Sequence, residues 1–325
     1  MYFKISLYTF LFIISQQVYS QTCCSGGVPL SNNLGLTNNG KGGFQLGVNY
    51  DYNNLNTLNA GSSRLNDNSR QRITNSILLN TNYSFSDRLS VEGLFTWVNQ
   101  TRTISQFGNE NFTETSGIGD AVILLKYTIQ DVLGANSLFN FGAGTKVPLG
   151  KSDLNSAQGI QLTSDLQPGS GAWDVLGWLS FAKSGILRPS GTISASVTYR
   201  FTGVNSSYLN NTSTYEFGDV AQASLGYTDQ FLWFNTIVNP GLVFKYRKSL
   251  NDKIEDSEIP NTGGNWLFVR PEISVQITSS FSVVTKVELP LYSYVEGTQL
   301  TPTFRLTTGV LLKINKKNTN PINIK

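Results

Sequence analysis

The chain holds few side chains able to make or break bonds, and their spacing argues against a catalytic centre. There is no histidine among its 325 residues, so serine–histidine and cysteine–histidine nucleophiles lack their base. Cys23 and Cys24 are adjacent and cannot staple distant segments. They read as a metal-binding pair, a vicinal disulfide or two plain thiols in a loose segment. No histidine is present to complete a metal site, so neither metal nor cofactor is expected. Asp120 and Asp174 are the carboxylate pair to weigh for acid–base work. They fall on separate stretches with a third between them, which reads as charges at different heights. No glycine-rich phosphate loop precedes a helix. An enzyme is not expected.

What the charged residues share is parity. Arg72, Glu92, Asp120, Lys126, Lys146, Asp174, Arg200, Lys245, Arg270, Glu272, Lys286, Glu288 and Arg305 each occupy the polar side of an alternating stretch. Such positions suit a water-filled or polar-plugged lumen, where a lipid-facing surface would reject charge. Arg270, Glu272, Lys286, Glu288 and Arg305 gather on the last three stretches. Two readings stay open for them: a mutually neutralising ladder that stiffens a wall, or a constriction that orders the field felt by a solute.

Elements with a period of two must position these residues. The clearest runs from Gly191 to Phe201, where Ile193, Ala195, Val197, Tyr199 and Phe201 alternate with Thr192, Ser194, Ser196, Thr198 and Arg200. Twelve such stretches are legible: Gly43–Tyr52, Arg72–Phe85, Leu89–Asn99, three within Gly117–Phe181, Gly191–Phe201, Glu216–Tyr227, Leu232–Tyr246, Trp266–Ile277, Phe281–Leu291 and Thr303–Ile314. Each approaches the roughly 9–11 residues that a tilted strand needs to cross a bilayer. No apolar run reaches the roughly 20 residues of a spanning helix. Charged residues make up only 14% of the chain and aromatics 12%, which also fits half-apolar strands. Connections alternate between short, such as Ser86 to Arg88, and long, such as Pro148 to Gly171. The expectation is an all-β fold, a transmembrane antiparallel up-and-down β-barrel of about twelve strands with short periplasmic turns and long extracellular loops. Aromatics at strand ends, including Phe85, Trp97, Tyr127, Tyr199, Tyr227 and Tyr246, suit the interfacial girdles.

Three consecutive segments also carry a family resemblance. Gly117–Tyr127 reads GIGDAVILLKY, Thr145–Lys151 reads TKVPLGK, and Gln167–Asp174 reads QPGSGAWD. Together they resemble the outer-membrane barrel family named for the meta-pathway of phenol degradation, whose members are described as transporters. Leu149 replaces the small threonine more usual in the second motif. The resemblance implies a barrel in the outer membrane of a Gram-negative bacterium and names no solute.

The flanks complete the organisation. Lys4, the apolar stretch Ile5–Ile14 and the small residue Ser20 make residues 1–20 a signal peptide cleaved before Gln21. Residues 21–41 form a lead-in or plug segment, 42–314 the barrel, and 315–325 a polar tail. The formal net charge of +3 is too small to suggest nucleic acid. The expected partners are outer-membrane lipid and a small-molecule solute. The function expected is uptake of small molecules, hydrophobic or aromatic ones among them. A general polar porin, or a non-transport barrel whose loops bind a partner, are the alternatives. Counting residues from the loop near Glu255 and Asp256 places Pro240 opposite Pro271, beside Gly241. Two residues without an N–H at one level would weaken or bulge that seam, either as a closed bulge that curves the wall or as a lateral exit for a hydrophobic solute.

Overall fold

Alternation of oily and polar residues lets a strand satisfy lipid on one side and a polar interior on the other, but only if no edge stays unpaired. The chain meets that condition by closing on itself. The computed structural model describes residues 34–314. The expected signal peptide, Cys23, Cys24, the first part of the expected lead-in and the tail 315–325 lie outside the described residues.

The wall consists of β1 (Phe44–Gly61), β2 (Arg70–Ser84), β3 (Leu89–Gln106), β4 (Ala121–Gln130), β5 (Ser137–Val147), β6 (Asp174–Ser184), β7 (Thr192–Phe201), β8 (Val220–Thr228), β9 (Thr236–Ser249), β10 (Gly264–Gln276) and β11 (Phe281–Ile314). Each pairs antiparallel with its neighbours in chain order, and β11 pairs with β1 to close the ring. β11 has 34 residues, which as one straight strand would span about 110 Å at roughly 3.3 Å per residue. It is instead a hairpin. Its first arm pairs with β10 and its second with β1, and the chain reverses around Gly297, whose φ is 69°. The arms touch where Lys313 N donates to Ser280 O at 2.7 Å, and where the Thr285 and Thr308 hydroxyls meet at 3.0 Å. The wall is therefore crossed twelve times.

Burial follows parity. Val48, Ile77, Phe95, Leu125, Leu179, Val197, Leu225 and Phe244 are exposed on the outer face, while Gln45, Asp51, Asn80, Asn82, Glu92 and Lys126 are buried inside. Apolar residues out and polar residues in is the arrangement of a barrel set in lipid.

Several connections differ from their expected form. β3 runs on past the apolar belt and pairs with Asn109–Ile118, with Phe107 and Gly108 at the tip. The stretch read as a long loop is thus mostly a paired hairpin. Glu216 belongs to a separate small sheet at the long-loop end, built from Val204–Ser207, Ser213–Glu216, Lys253–Ile254 and Ser257–Glu258. β8 consequently begins at Val220. Leu232 does not open the ninth strand. Phe231–Trp233 fold back on Thr236–Val238, and Phe234 and Asn235 make the turn at positive φ, 45° and 58°.

The expected proline pairing is also corrected. Pro240 lies opposite Ile273, Gly241 opposite Glu272, and Pro271 opposite Leu242, in a β9–β10 ladder with no register shift. Residue counting assumed a symmetric loop, whereas the small sheet takes up unequal lengths on its two sides. The interruption falls on the other side of β10. Its ladder with the first arm of β11 shifts between Leu267 and Phe268, and pairs are made at Val269↔Leu289 and Glu272↔Lys286 but not at the two positions between them. Pro271 cannot donate there, and Pro290 sits beside the shift, opposite Phe268.

Candidate functional site

The barrel interior is closed by two pieces of chain that enter from opposite ends. From the short-turn end, residues 34–41 lie along the inner faces of β2, β3, β4 and β6. Lys41 N donates to Asp87 Oδ1 at 3.0 Å at the rim. Deeper in, Gln45 Nε2 and Asn82 Nδ2 donate to Thr37 O at 3.0 and 3.3 Å. Leu34 packs against the buried cluster of Leu78, Leu94, Val122 and Leu176. At the centre, the amides of Gly35 and Leu36 both donate to the Glu92 carboxylate, Gly35 at 3.1 Å and Leu36 at 3.2 Å. Lys126 Nζ lies 2.6 Å from Glu92 Oε2, also donates to Leu36 O, and stands 5.9 Å from the centre of the Trp178 ring. A buried carboxylate that receives two backbone amides and an ammonium has its charge fully answered. This makes a latch.

The second closure comes from the long-loop end. Within the connection from β5 to β6, the turn Ser164–Leu166 is buried. Arg72 Nη1 reaches Asp165 Oδ2 at 3.0 Å, Thr115 Oγ1 donates to Leu166 O at 2.6 Å, and Gln100 Nε2 donates to Gln167 O at 3.2 Å. Gln167 in turn braces the loop through Leu154, whose N donates to Gln167 Oε1 at 2.9 Å. The sequence motifs are explained by this tuck. Gly150 and Gly169 pack backbone to backbone, and a Cβ on Gly169 would collide with Gly150 O. Asp120 accepts from Gly150 N at 3.2 Å and from Ser170 N and Oγ at 3.0 and 2.7 Å.

Asp120 and Asp174 are not at separate heights. Lys146, directly opposite Asp174 in the β5–β6 ladder, lies 3.3 Å from Asp120 and 2.8 Å from Asp174, and Arg200 approaches Asp174 at 3.7 Å. The cluster ties the loop down.

Along β9, β10 and β11 the inward charges pair as Lys245 with Glu288, Arg270 with Glu272 at 3.3 Å, and Arg305 with Asp51 at 2.9 Å. Lys286 forms no ion pair among the described residues. Asp51 was absent from the sequence-based set although it occupies the polar parity of β1, so alternation alone would have found it. Asp165 and Ser170 lie in a loop without any period, and no sequence signal marks them as interior.

Further round the wall, the interior of β7 and β8 carries small polar groups: Ser194, Ser196 and Thr198 face Gly226, Ser224 and Gln222 across the ladder, with Ser196 and Ser224 in contact at 2.7 Å. Over the mouth, the small sheet buries Tyr208, Tyr215 and Phe217 against Ile254 and Ile259. Tyr215 OH donates to Asp252 Oδ2 at 2.6 Å, and Gly218 N donates to Asp252 Oδ1 at 2.8 Å. Burial raises the Asp252 carboxyl above the usual carboxylate range despite these bonds, and burial beside Asp252 pushes the Tyr215 hydroxyl up as well.

The closed ring has a counterpart among solved structures. An outer-membrane channel from Pseudomonas putida F1 superposes with a TM-score of 0.67 at 15% identity, covering 88% of this chain and 100% of that one. This chain has the outer-membrane β-barrel fold. The transport unit of the autotransporter AIDA-I from Escherichia coli aligns at TM-score 0.47 and 10% identity over 87% of this chain and 94% of that one. The β domain of the Bordetella autotransporter BrkA aligns at 0.45 and 10% over 84% and 100%. No protein-family model matches the chain, and no curated protein matches it. Its place is the outer membrane of a Gram-negative bacterium, in contact with lipid.

Proposed function

We propose that the chain is an outer-membrane channel for small hydrophobic or aromatic molecules, which leave the barrel sideways into the bilayer. The observation that carries this reading is a contrast between the ends and the wall. Both ends are filled by hydrogen-bonded chain, whereas the ladder between β10 and the first arm of β11 lacks its pairs at Arg270 and Pro271. An unpaired stretch of wall at membrane depth is tolerable where it borders a cavity, and a hydrophobic solute that leaves through it avoids the aqueous exit. The motif resemblance to phenol meta-pathway barrels and the likeness to the P. putida channel support a transport role. The prolines of the seam are then Pro271 and Pro290, with Pro240 and Gly241 on the intact side. Arg72, Glu92 and Lys126 hold the closures, and the charges from Lys245 to Arg305 line the remaining interior.

Cysteines replacing Pro271 and Val287, which face each other at the interruption, test the exit. Oxidation should slow entry of a fluorescent hydrophobic probe into cells at least tenfold, with recovery on reduction. Uptake at an equal rate in the crosslinked barrel rules the seam out. The hydroxyl-lined face of β7 and β8 favours a second reading, a polar pore. That reading requires large steady conductance in a planar bilayer with both closures in place.

A further inference from the structure

A cavity of about 230 Å³ opens inside the barrel towards the short-turn end, between β7, β8, β9, β10 and the first arm of β11. We infer that it binds the uncharged, polyhydroxylated head of an amphiphile whose hydrocarbon tail passes through the adjoining seam. This rests on the lateral-exit reading and names the class of molecule it serves.

Thr192, Thr228, Asn239, Glu272 and Ser274 line the cavity, with Val284 on its apolar side. Register places the five polar residues on the inward parity: Thr192 faces Thr228, Asn239 faces Ser274, and Gly241 faces Glu272. Gly241 keeps the space open, since a Cβ there would lie 2.6 Å from Thr228 Cγ2 and 3.0 Å from Glu272 Cγ. The Thr192 hydroxyl already meets Ser184 Oγ at 2.9 Å, but Glu272 keeps accepting capacity. Glu272 Oε2 is buried and accepts no hydrogen bond, although Arg270 Nη2 is 3.3 Å away. A buried acceptor that makes no hydrogen bond is costly, so a ligand that supplies a hydroxyl there is favoured.

The mixture of groups selects the head. Hydroxyls and an amide both donate and accept, while the carboxylate only accepts. A sugar or glycerol head offers hydroxyls that do both. A carboxylate or phosphate head would meet Glu272 and Asp229, which also lines the cavity, while an ammonium head finds both carboxylates already held by guanidinium groups, Asp229 by Arg188 at 2.7 Å and Glu272 by Arg270 at 3.3 Å. The volume is smaller than the about 300–1,000 Å³ of sites that enclose a whole ligand, which suits a head alone. The tail has a path, because Glu272 follows Pro271 directly and the unpaired stretch of wall begins there.

Octyl glucoside and octanol, both below their aggregation concentrations, are the probes, with the full-length protein in lipid nanodiscs and binding read by calorimetry. Octyl glucoside should bind at least tenfold more tightly than octanol. The double variant Asn239→Leu, Thr228→Val should erase that preference while its barrel still resists unfolding in cold detergent on gels. Equal affinity of the two probes, a preference that survives the double variant, or tighter binding of octylamine or octanoate overturns the inference. The Pro271→Cys, Val287→Cys pair, oxidised and assayed for uptake in cells beside the nanodisc binding measurement, separates the two proposals. A head preference with uptake that ignores the crosslink keeps this site and removes the lateral exit. Uptake that responds to the crosslink, without any head preference, does the reverse.

Discussion

Glu92→Leu is the perturbation that most directly probes the latch. In the native barrel the Glu92 carboxylate receives the Gly35 and Leu36 amides and sits 2.6 Å from Lys126. Hydrogen bonds to a charged group contribute about 1.5–3 kcal/mol each, so two amides amount to roughly 3–6 kcal/mol favouring the docked segment. The substitution also strands Lys126, and breaking a buried pair costs about 3–5 kcal/mol. Part of that second cost is relieved when the segment leaves and water enters, so it too favours opening. Since about 1.4 kcal/mol is tenfold in an equilibrium, the released population should rise at least a hundredfold. Single-channel recording in planar bilayers reads it as frequent, long openings where the native protein shows rare ones. Adding Lys126→Met removes the stranded ammonium and should restore part of the closure, a coupling measurable by a double-mutant cycle. A folded Glu92→Leu barrel with unchanged conductance would refute the latch.

Three further outcomes are expected. A cysteine label at Asn155, in the loop between β5 and β6, should react on intact cells, and one at Ser86 should not; reversed reactivity would invert the orientation. Neutralising Arg270, Lys286 and Arg305 together in the Glu92→Leu background should shift reversal potentials towards cation selectivity, because positive field is removed from the wall; no shift would place these groups away from the ion path. The raised Asp252 carboxyl means the closed cap binds a proton more readily than the open one, so closure strengthens as pH falls through that titration and weakens as pH rises. Openings of the mouth should be rarer in acid, and Asp252→Asn should flatten the dependence; more frequent openings in acid would contradict the sign.

Sequence alone determined the barrel, since lipid outside and charge inside impose a period of two that survives in nearly every membrane-crossing segment. The shared parity of the charged residues was also legible, because parity is a local property of each strand. Three features were decided by tertiary structure. Hairpin extensions such as β3 with Asn109–Ile118 were hidden because both faces of a strand above the membrane meet water, so pairing continues after the apolar signal has stopped. The partners of the interior charges were hidden because they depend on which strands lie adjacent and on a loop that folds inward: Asp120 and Asp174 share Lys146, and Arg72 finds Asp165, 93 residues away in sequence. The seam depended on register, which unequal loop lengths set, and a shift of two residues moved the proline pairing off β9 and placed the unpaired wall between β10 and β11.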